Sequence, residues 1–484
     1  MSAGDDSGIV FPRAESDGRR STTATGQAVL SAAAEALDPD LAARIRGAAD
    51  WRRSYIPFLV ELETAAARAQ DGPVRAARAG LAEAYARFRL LRHGGELPLA
   101  DVGKVPPRER FATETVTGEG RHPGELAVPY AGQLLRGDGL HRQLDAWAHA
   151  GVIEPSCAEA VREVAQAPGQ LDLSGVTVAL LGAGAEMGPL AALSAWGARV
   201  LAVDLPHGPL QQRIAEAGRR GSGVLQLPRA AGAERPGADV IAEVPELAAW
   251  LAETADAPSL VVGSYGYATG AGFVRLAVAA DTLTTALPAL GQPVTPAYLA
   301  TPTDVFAVPA EVVASARACY ADTTALWRRV SRASGHRLLA PNYPSVVRAA
   351  DGAEVGIADA LVVQQGPNYA LAKRLQRWRA LVAAADGGAV SANVAPPTRT
   401  RSVLRNRLLA AAYRGAGRFG VEVFEPATSS TLMAALLVHD LRTAPTPTPA
   451  DLLPTGAAHG GLWRTGYQPR SALGLAVLAG LRVR

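Results

Sequence analysis

The sequence predicts an α/β protein in which a doubly wound parallel sheet, spanning about residues 171–442, follows an all-helical region. Three observations predict it. Ahead of Leu171 the apolar side chains recur at three- and four-residue spacing, as in Leu37, Leu41 and Ile45, or Leu81, Tyr85, Phe88 and Leu91, which is the period of a helix face. At Leu171 the pattern changes to short β-branched runs that alternate with helix-like stretches. The first of these runs, Val176 to Leu181, passes through glycines into a helix-like stretch and a second run, Arg199 to Asp204: strand, glycine turn, helix, strand.

Taken in order, residues 1–26 are polar and aperiodic and read as a flexible tail. Residues 27–170 read as a helical domain, with a Pro- and Gly-rich loop (Pro98 to Gly132) before a second helical pair, Leu135 to Ala150 and Ser156 to Gln166. In the 171–442 domain, further strand-like runs lie at Val224–Leu227, Leu260–Val262, Tyr298–Val308, Arg337–Ala340 and Ala389–Val394. Leu432 to Leu441 is an apolar helix, suited to the core or to a second copy of the chain in a homo-oligomer. Residues 443–484 form a Pro-rich connector and a C-terminal segment whose apolar run, Ser471 to Leu481, is too short to span a bilayer.

Composition narrows the functional classes. With 48 Lys and Arg against 45 Asp and Glu, the net charge of +3 is too small for a polyanion-binding field, so nucleic acid is not expected as a partner. No secretory leader and no apolar run of membrane-spanning length is read, which predicts a cytoplasmic protein with no membrane partner. Cys157 and Cys319 form no paired motif and the eight histidines show no HxxxH or HExxH spacing, so neither a disulfide framework nor a metal site is expected.

Gly182, Gly184 and Gly188 form GxGxxxG between a strand and a helix, where a turn lacking Cβ atoms brings backbone amides close to a pyrophosphate. Asp204 ends the next strand, where a carboxylate accepts hydrogen bonds from both hydroxyls of an adenosine ribose and repels a 2′-phosphate. NAD is therefore expected over NADP. S-adenosylmethionine, bound by similar turns in methyltransferases, is the rival at this point.

Tyr369 and Lys373 are spaced i, i+4, so on a helix they project from one face. Basic residues are nearly all Arg; Lys104 and Lys373 are the only lysines, which makes one in a YxxxK spacing informative. A cation beside a phenol is expected to lower its pKa from near 10 toward the working range of a proton shuttle. From Leu171 to Leu441 the order of glycine turn, YxxxK and a proline-containing turn at Pro396 resembles the short-chain dehydrogenase/reductase superfamily in its extended form, a Rossmann-type fold. The resemblance implies Tyr369 as general acid/base, Lys373 on the nicotinamide ribose, and an upstream serine, by position Ser345, that polarises the substrate. It places Gly263 in the turn beneath the cofactor, without that family's asparagine, and Pro396 over it.

Three features depart from the family pattern. Glu186 puts a carboxylate near the expected pyrophosphate, the long span from Gly182 to Tyr369 requires an insertion or an extra strand and helix around Gly270 to Ala325, and the helical region ahead of the sheet has no counterpart. Arg399 and Arg401 follow Pro396, where the substrate loop would lie, and suit a phosphate or a coenzyme A- or carrier-linked substrate. The expected function is NAD-linked interconversion of a carbonyl and a secondary alcohol on a small or acyl-linked metabolite. A methyltransferase and a non-catalytic nucleotide-binding scaffold are the alternatives.

Overall fold

The computed structural model describes residues 7–14, 18–92, 95–443 and 447–482. Of the expected tail, residues 1–6 and 15–17 lie outside these, as do 444–446 of the expected connector and His93. The architecture is α/β, built on a seven-stranded, mostly parallel sheet. Its six parallel strands are β1 (Thr177–Leu181), β2 (Arg199–Val203), β3 (Val224–Arg229), β4 (Leu260–Ser264), β5 (Val294–Ala300) and β6 (Ser391–Val394). They lie side by side as β6-β5-β4-β1-β2-β3, and Ala112–Thr117 closes the β3 edge as an antiparallel seventh strand.

β1 and β4 are buried along their whole length, which is why they read as unbroken apolar runs: a parallel sheet is covered on both faces. The edge strand Ala112–Thr117 carries only exposed and half-buried residues instead. Side chains leave the sheet with period two. Val178, Leu180, Val200, Ala202 and Val261 enter one core with α1 (Leu190–Ala195), α6 (Pro426–Arg442) and the helices Gly137–His149 and Pro155–Gln166. Ala179, Leu181, Leu201, Val203 and Val262 enter the other, with α3 (Val244–Thr254), α4 (Ala271–Ala286), α5 (Gly366–Ala385) and the four helices between Thr22 and Arg87. The remaining crossover, α2 (Gly208–Arg220), follows β2.

Several expectations are corrected. The supposed tail contains a strand, Gly8–Val10, antiparallel to Arg89–Leu91, and Ile9 is fully buried with its N–H on the Ile241 carbonyl. Its residues gain their partners only through pairing with a distant part of the chain, beyond the reach of local periodicity. The N-terminal region is not purely helical, since Arg89–Arg92 and Gly95–Pro98 form a hairpin and Val128–Tyr130 pairs with Gln133–Leu135. Its first helices share the main core: a Cβ on Gly80 would overlap the Trp378 ring of α5. Glu63 of Trp51–Arg68 binds both Arg374 (2.7 Å) and Arg377 of α5, all three being buried.

The extra segment overlaps the expected stretch only from Thr301 on and runs past it. Residues 271–300 form α4 and β5, and the insertion runs between β5 and α5, where Val305–Pro309, Glu354–Asp359 and Val347–Arg348 make a small antiparallel sheet flanked by two helices. Arg337–Ala340 is not a strand. Among the described residues one helix, Ala271–Leu290, is long and apolar enough to cross a membrane, contrary to the sequence reading, and 72% of it is buried inside the protein.

Candidate functional site

A cavity of about 1020 Å³ opens at the C-terminal ends of the parallel strands. β1 and β4 are neighbours, yet the chain leaving them runs to helices on opposite faces, α1 and α4, so a crevice forms between the two exits. At one end of it lies the glycine turn. Gly182 has φ +86°, and a Cβ there would overlap the backbone of Gly266, which follows β4. The Leu181 carbonyl accepts from the N–H groups of Tyr265 and Gly266 at 3.0 and 2.8 Å, locking the two turns together.

A Cβ on Gly184 would overlap Leu210, and its N–H donates to Asp204 Oδ2 at 2.9 Å, while Leu205 N–H donates to Oδ1 at 2.9 Å. Asp204 lines the cavity with its carboxylate fixed beneath the turn. Burial pushes its pKa up, and the two N–H donors and Arg213 oppose that. Glu186 does not face the turn unpaired: its Oε1 lies 2.7 Å from Arg401 Nε and its Oε2 accepts from Arg401 N–H at 2.7 Å. The chain after β6 is thus latched to the glycine turn, with Pro396 lining the cavity between them.

The opposite wall carries Tyr369 and Lys373, in the first two turns of α5. The Phe273 ring of α4 lies 5.4 Å from the Tyr369 ring and 5.7 Å from Lys373 Nζ, so both side chains rest on one aromatic surface. The Tyr369 phenol has the Thr301 and Gln365 side chains beside it, and both favour its ionised form. Thr301 in turn meets the Thr303 hydroxyl at 2.8 Å, and Gln365 Nε2 donates to Thr303 at 2.6 Å. Lys373 Nζ donates to the Leu299 carbonyl at 2.9 Å and to Gln376 Oε1 at 3.1 Å.

The expected lowering of the phenol pKa does not occur. Burial dominates both groups, pushing the Tyr369 phenol up to about 12 and the Lys373 ammonium down to about 8, the buried Asp304 partly restoring the latter.

Of the residues singled out in the sequence, Gly182, Gly184, Glu186, Asp204, Pro396, Arg401, Tyr369 and Lys373 meet at this cavity. The others do not line it. Ser345 is exposed on a turn of the inserted segment. Gly188 packs near the Ala185 carbonyl, and Gly263 lies within β4, where a Cβ would overlap the Tyr265 ring. Arg399 pairs with Glu425 at 3.2 Å. The hydroxyl beside Tyr369 belongs to Thr301, at the end of β5. Its signal was the Thr-Pro-Thr that interrupts the apolar run from Tyr298, which the sequence reading took as continuous to Val308. Of the C-terminal residues that cover the cavity, Leu473 and Ala476 fall in the apolar run from Ser471 to Leu481, which the sequence reading assigned to no site, and Tyr413 was not singled out.

No family model matches the chain, and no curated protein matches it. Among solved structures, a mutant short-chain dehydrogenase/reductase of Serratia marcescens is 12% identical, covering 60% of this chain and 99% of its own, with a TM-score of 0.34. A 3-oxoacyl-[acyl-carrier protein] reductase of Brucella melitensis in complex with NAD is 13% identical, covering 60% and 97%, with a TM-score of 0.31.

Proposed function

We propose that this chain is an NAD-linked oxidoreductase of Rossmann type that reduces a ketone, or oxidises the corresponding secondary alcohol. The observation that carries the reading is the convergence of Tyr369, Lys373 and Thr301 on the cavity whose other end is the Gly182–Gly184 turn and Asp204. Counted over its parallel strands, the sheet has the order 3-2-1-4-5-6, in which dinucleotides bind at the crevice where the order reverses. The missing Cβ atoms of Gly182 and Gly184 let the turn pack against Gly266 and Leu210, and Arg401 neutralises the carboxylate of Glu186 beside the expected pyrophosphate. Asp204 would hold the adenosine ribose and Lys373 the nicotinamide ribose. When bound, the nicotinamide supplies or accepts the hydride.

The chain's own residues handle the oxygen. Thr301 orients it by a hydrogen bond and Tyr369 donates a proton to it as the alcohol forms. A phenol held at about 12 stays protonated at neutral pH, the form that donates to a developing alkoxide. Oxidation needs the phenolate, and its rate rises with pH. A methyl transfer would leave Tyr369, Lys373 and Thr301 without a task.

The test is Tyr369→Phe. Ketone reduction falls by about 10²- to 10⁴-fold, the contribution of a positioned acid, while NADH affinity measured by fluorescence titration stays within about threefold. Loss of NADH binding together with turnover would mark the tyrosine as structural and overturn the assignment.

A further inference from the structure

The cavity continues past Tyr369, away from the glycine turn. At about 1020 Å³ it stands at the top of the roughly 300–1,000 Å³ range of single small-molecule sites. The helix Arg407–Gly415 turns Leu409, Ala412 and Tyr413 into it, and the helix Pro469–Arg482 turns in Ala472, Leu473 and Ala476. Three- and four-residue spacing puts each set on one face. The roof is fixed, because the two helices touch through glycines: a Cβ on Gly415 would overlap the Ala476 carbonyl, and one on Gly480 the Ala411 carbonyl.

Among the described lining residues after Val403, none is charged. Two arginines of these helices point elsewhere, Arg414 to the Gly480 carbonyl and Arg470 to Asp359. The Thr465 hydroxyl is spent on the Phe419 carbonyl. Tyr413, whose pKa is raised first by burial and then by the Tyr369 phenol, lines the same cavity as that proton donor and sets the lobe beside it.

We propose that this lobe is a site for a neutral, apolar chain or ring system, so that the substrate is an uncharged lipophilic ketone and not a phosphate-, carboxylate- or coenzyme A-bearing one. This rests on the proposed reductase reading for the chemistry, but the lobe's ligand class follows from its own walls. Arg399 and Arg401, which first suggested an anionic substrate, are both taken by carboxylates, Glu425 and Glu186. In the reduction, hydride from NADH forms the C–H bond at the carbonyl carbon, the C=O π pair moves to oxygen, and the Tyr369 proton completes the alcohol, leaving NAD.

The experiment is calorimetric titration of the full chain, with and without saturating NADH, using 2-pentanone, 2-heptanone, 2-nonanone and 2-undecanone, and 10-oxoundecanoate as the charged analogue of the last. Affinity should tighten about fourfold per added methylene, and 10-oxoundecanoate should bind at least about 100-fold more weakly than 2-undecanone. Ala412→Trp, which fills the lobe, should abolish the chain-length dependence, with the milder Ala412→Leu reducing it; circular dichroism and the urea midpoint report that each variant is folded. A flat affinity across the series, or equal binding of the keto acid, overturns the proposal whatever NADH does. A chain-length series that appears in protein with no affinity for NADH supports the lobe and sinks the reductase reading.

Discussion

Replacing Lys373 by methionine is expected to stabilise the cofactor-free protein at neutral pH while abolishing ketone reduction. The side chain is half-buried, and desolvation holds its ammonium down to about 8 from an ordinary 10.5. At 1.36 kcal/mol per pH unit, keeping that charge inside at pH 7 costs about 3 kcal/mol. Methionine has nearly the same length and needs no proton, but it gives up the hydrogen bonds to the Leu299 carbonyl and Gln376, worth about 1 kcal/mol each. The net gain at pH 7 is about 1 kcal/mol.

The sign then reverses with pH. Because the folded-state pKa is depressed, the unfolded chain binds more protons between about 8 and 10.5, so the parent protein gains stability as pH rises through that window. By pH 9.5 about 2 kcal/mol of the penalty is gone and the variant becomes the less stable of the two by about 1 kcal/mol. Urea midpoints of parent and variant at pH 7 and 9.5 measure this crossing. A variant less stable by the same amount at both values would refute the reasoning, since Lys373 would then be an ordinary packed side chain and not a charge buried for a task.

Two further outcomes follow from the same geometry. Asp204→Ala should weaken NAD binding by about tenfold or more, because it removes a charged acceptor for ribose hydroxyls and frees the Gly184 and Leu205 N–H groups that set the turn; fluorescence titration with NADH measures it. Glu154 is bound by His459 and by both arms of Arg464, and although burial opposes its charge, these partners hold its carboxyl down to about 2 from 4.5. Its contribution is complete above 4.5 and lost as pH falls through 2, so Glu154→Gln should cost about 3 kcal/mol in urea unfolding at pH 7 and progressively less as the pH is lowered.

The half of the site built from local pattern was legible in the sequence. A glycine turn between two apolar runs, an acid at the end of the second, and YxxxK on a helix each declare themselves within a few residues, and the structure gathers those residues at one cavity. What depends on distant partners was not. Arg337 to Tyr343 imitates a strand, yet Leu339 and Tyr343 have φ of +53° and +52°, and the segment bonds to the C-terminal region through Asn342 N–H to the Gly466 carbonyl (3.0 Å) and Ala340 N–H to Ser471 (2.9 Å). Leu339 packs with Tyr467 and Ala472 of that region, which is why Ser345 was misplaced and Thr301 overlooked. The pKa of Tyr369 was misjudged for a related reason: spacing brings Lys373 near, but only the packed structure shows that burial outweighs any help from the amine.

The central claim, a nicotinamide dinucleotide in the Gly182–Asp204 crevice, is tested most directly by thermal unfolding with NAD, NADH, NADP, NADPH, S-adenosylmethionine and S-adenosylhomocysteine, each at about 100 times a typical dissociation constant. Binding at that excess adds about 2.7 kcal/mol and should raise the midpoint by a few degrees. The account predicts a rise with NAD or NADH, smaller or absent with the 2′-phosphorylated pair and absent with the methyl donors. A rise with S-adenosylmethionine alone, or with none of the six, would contradict it.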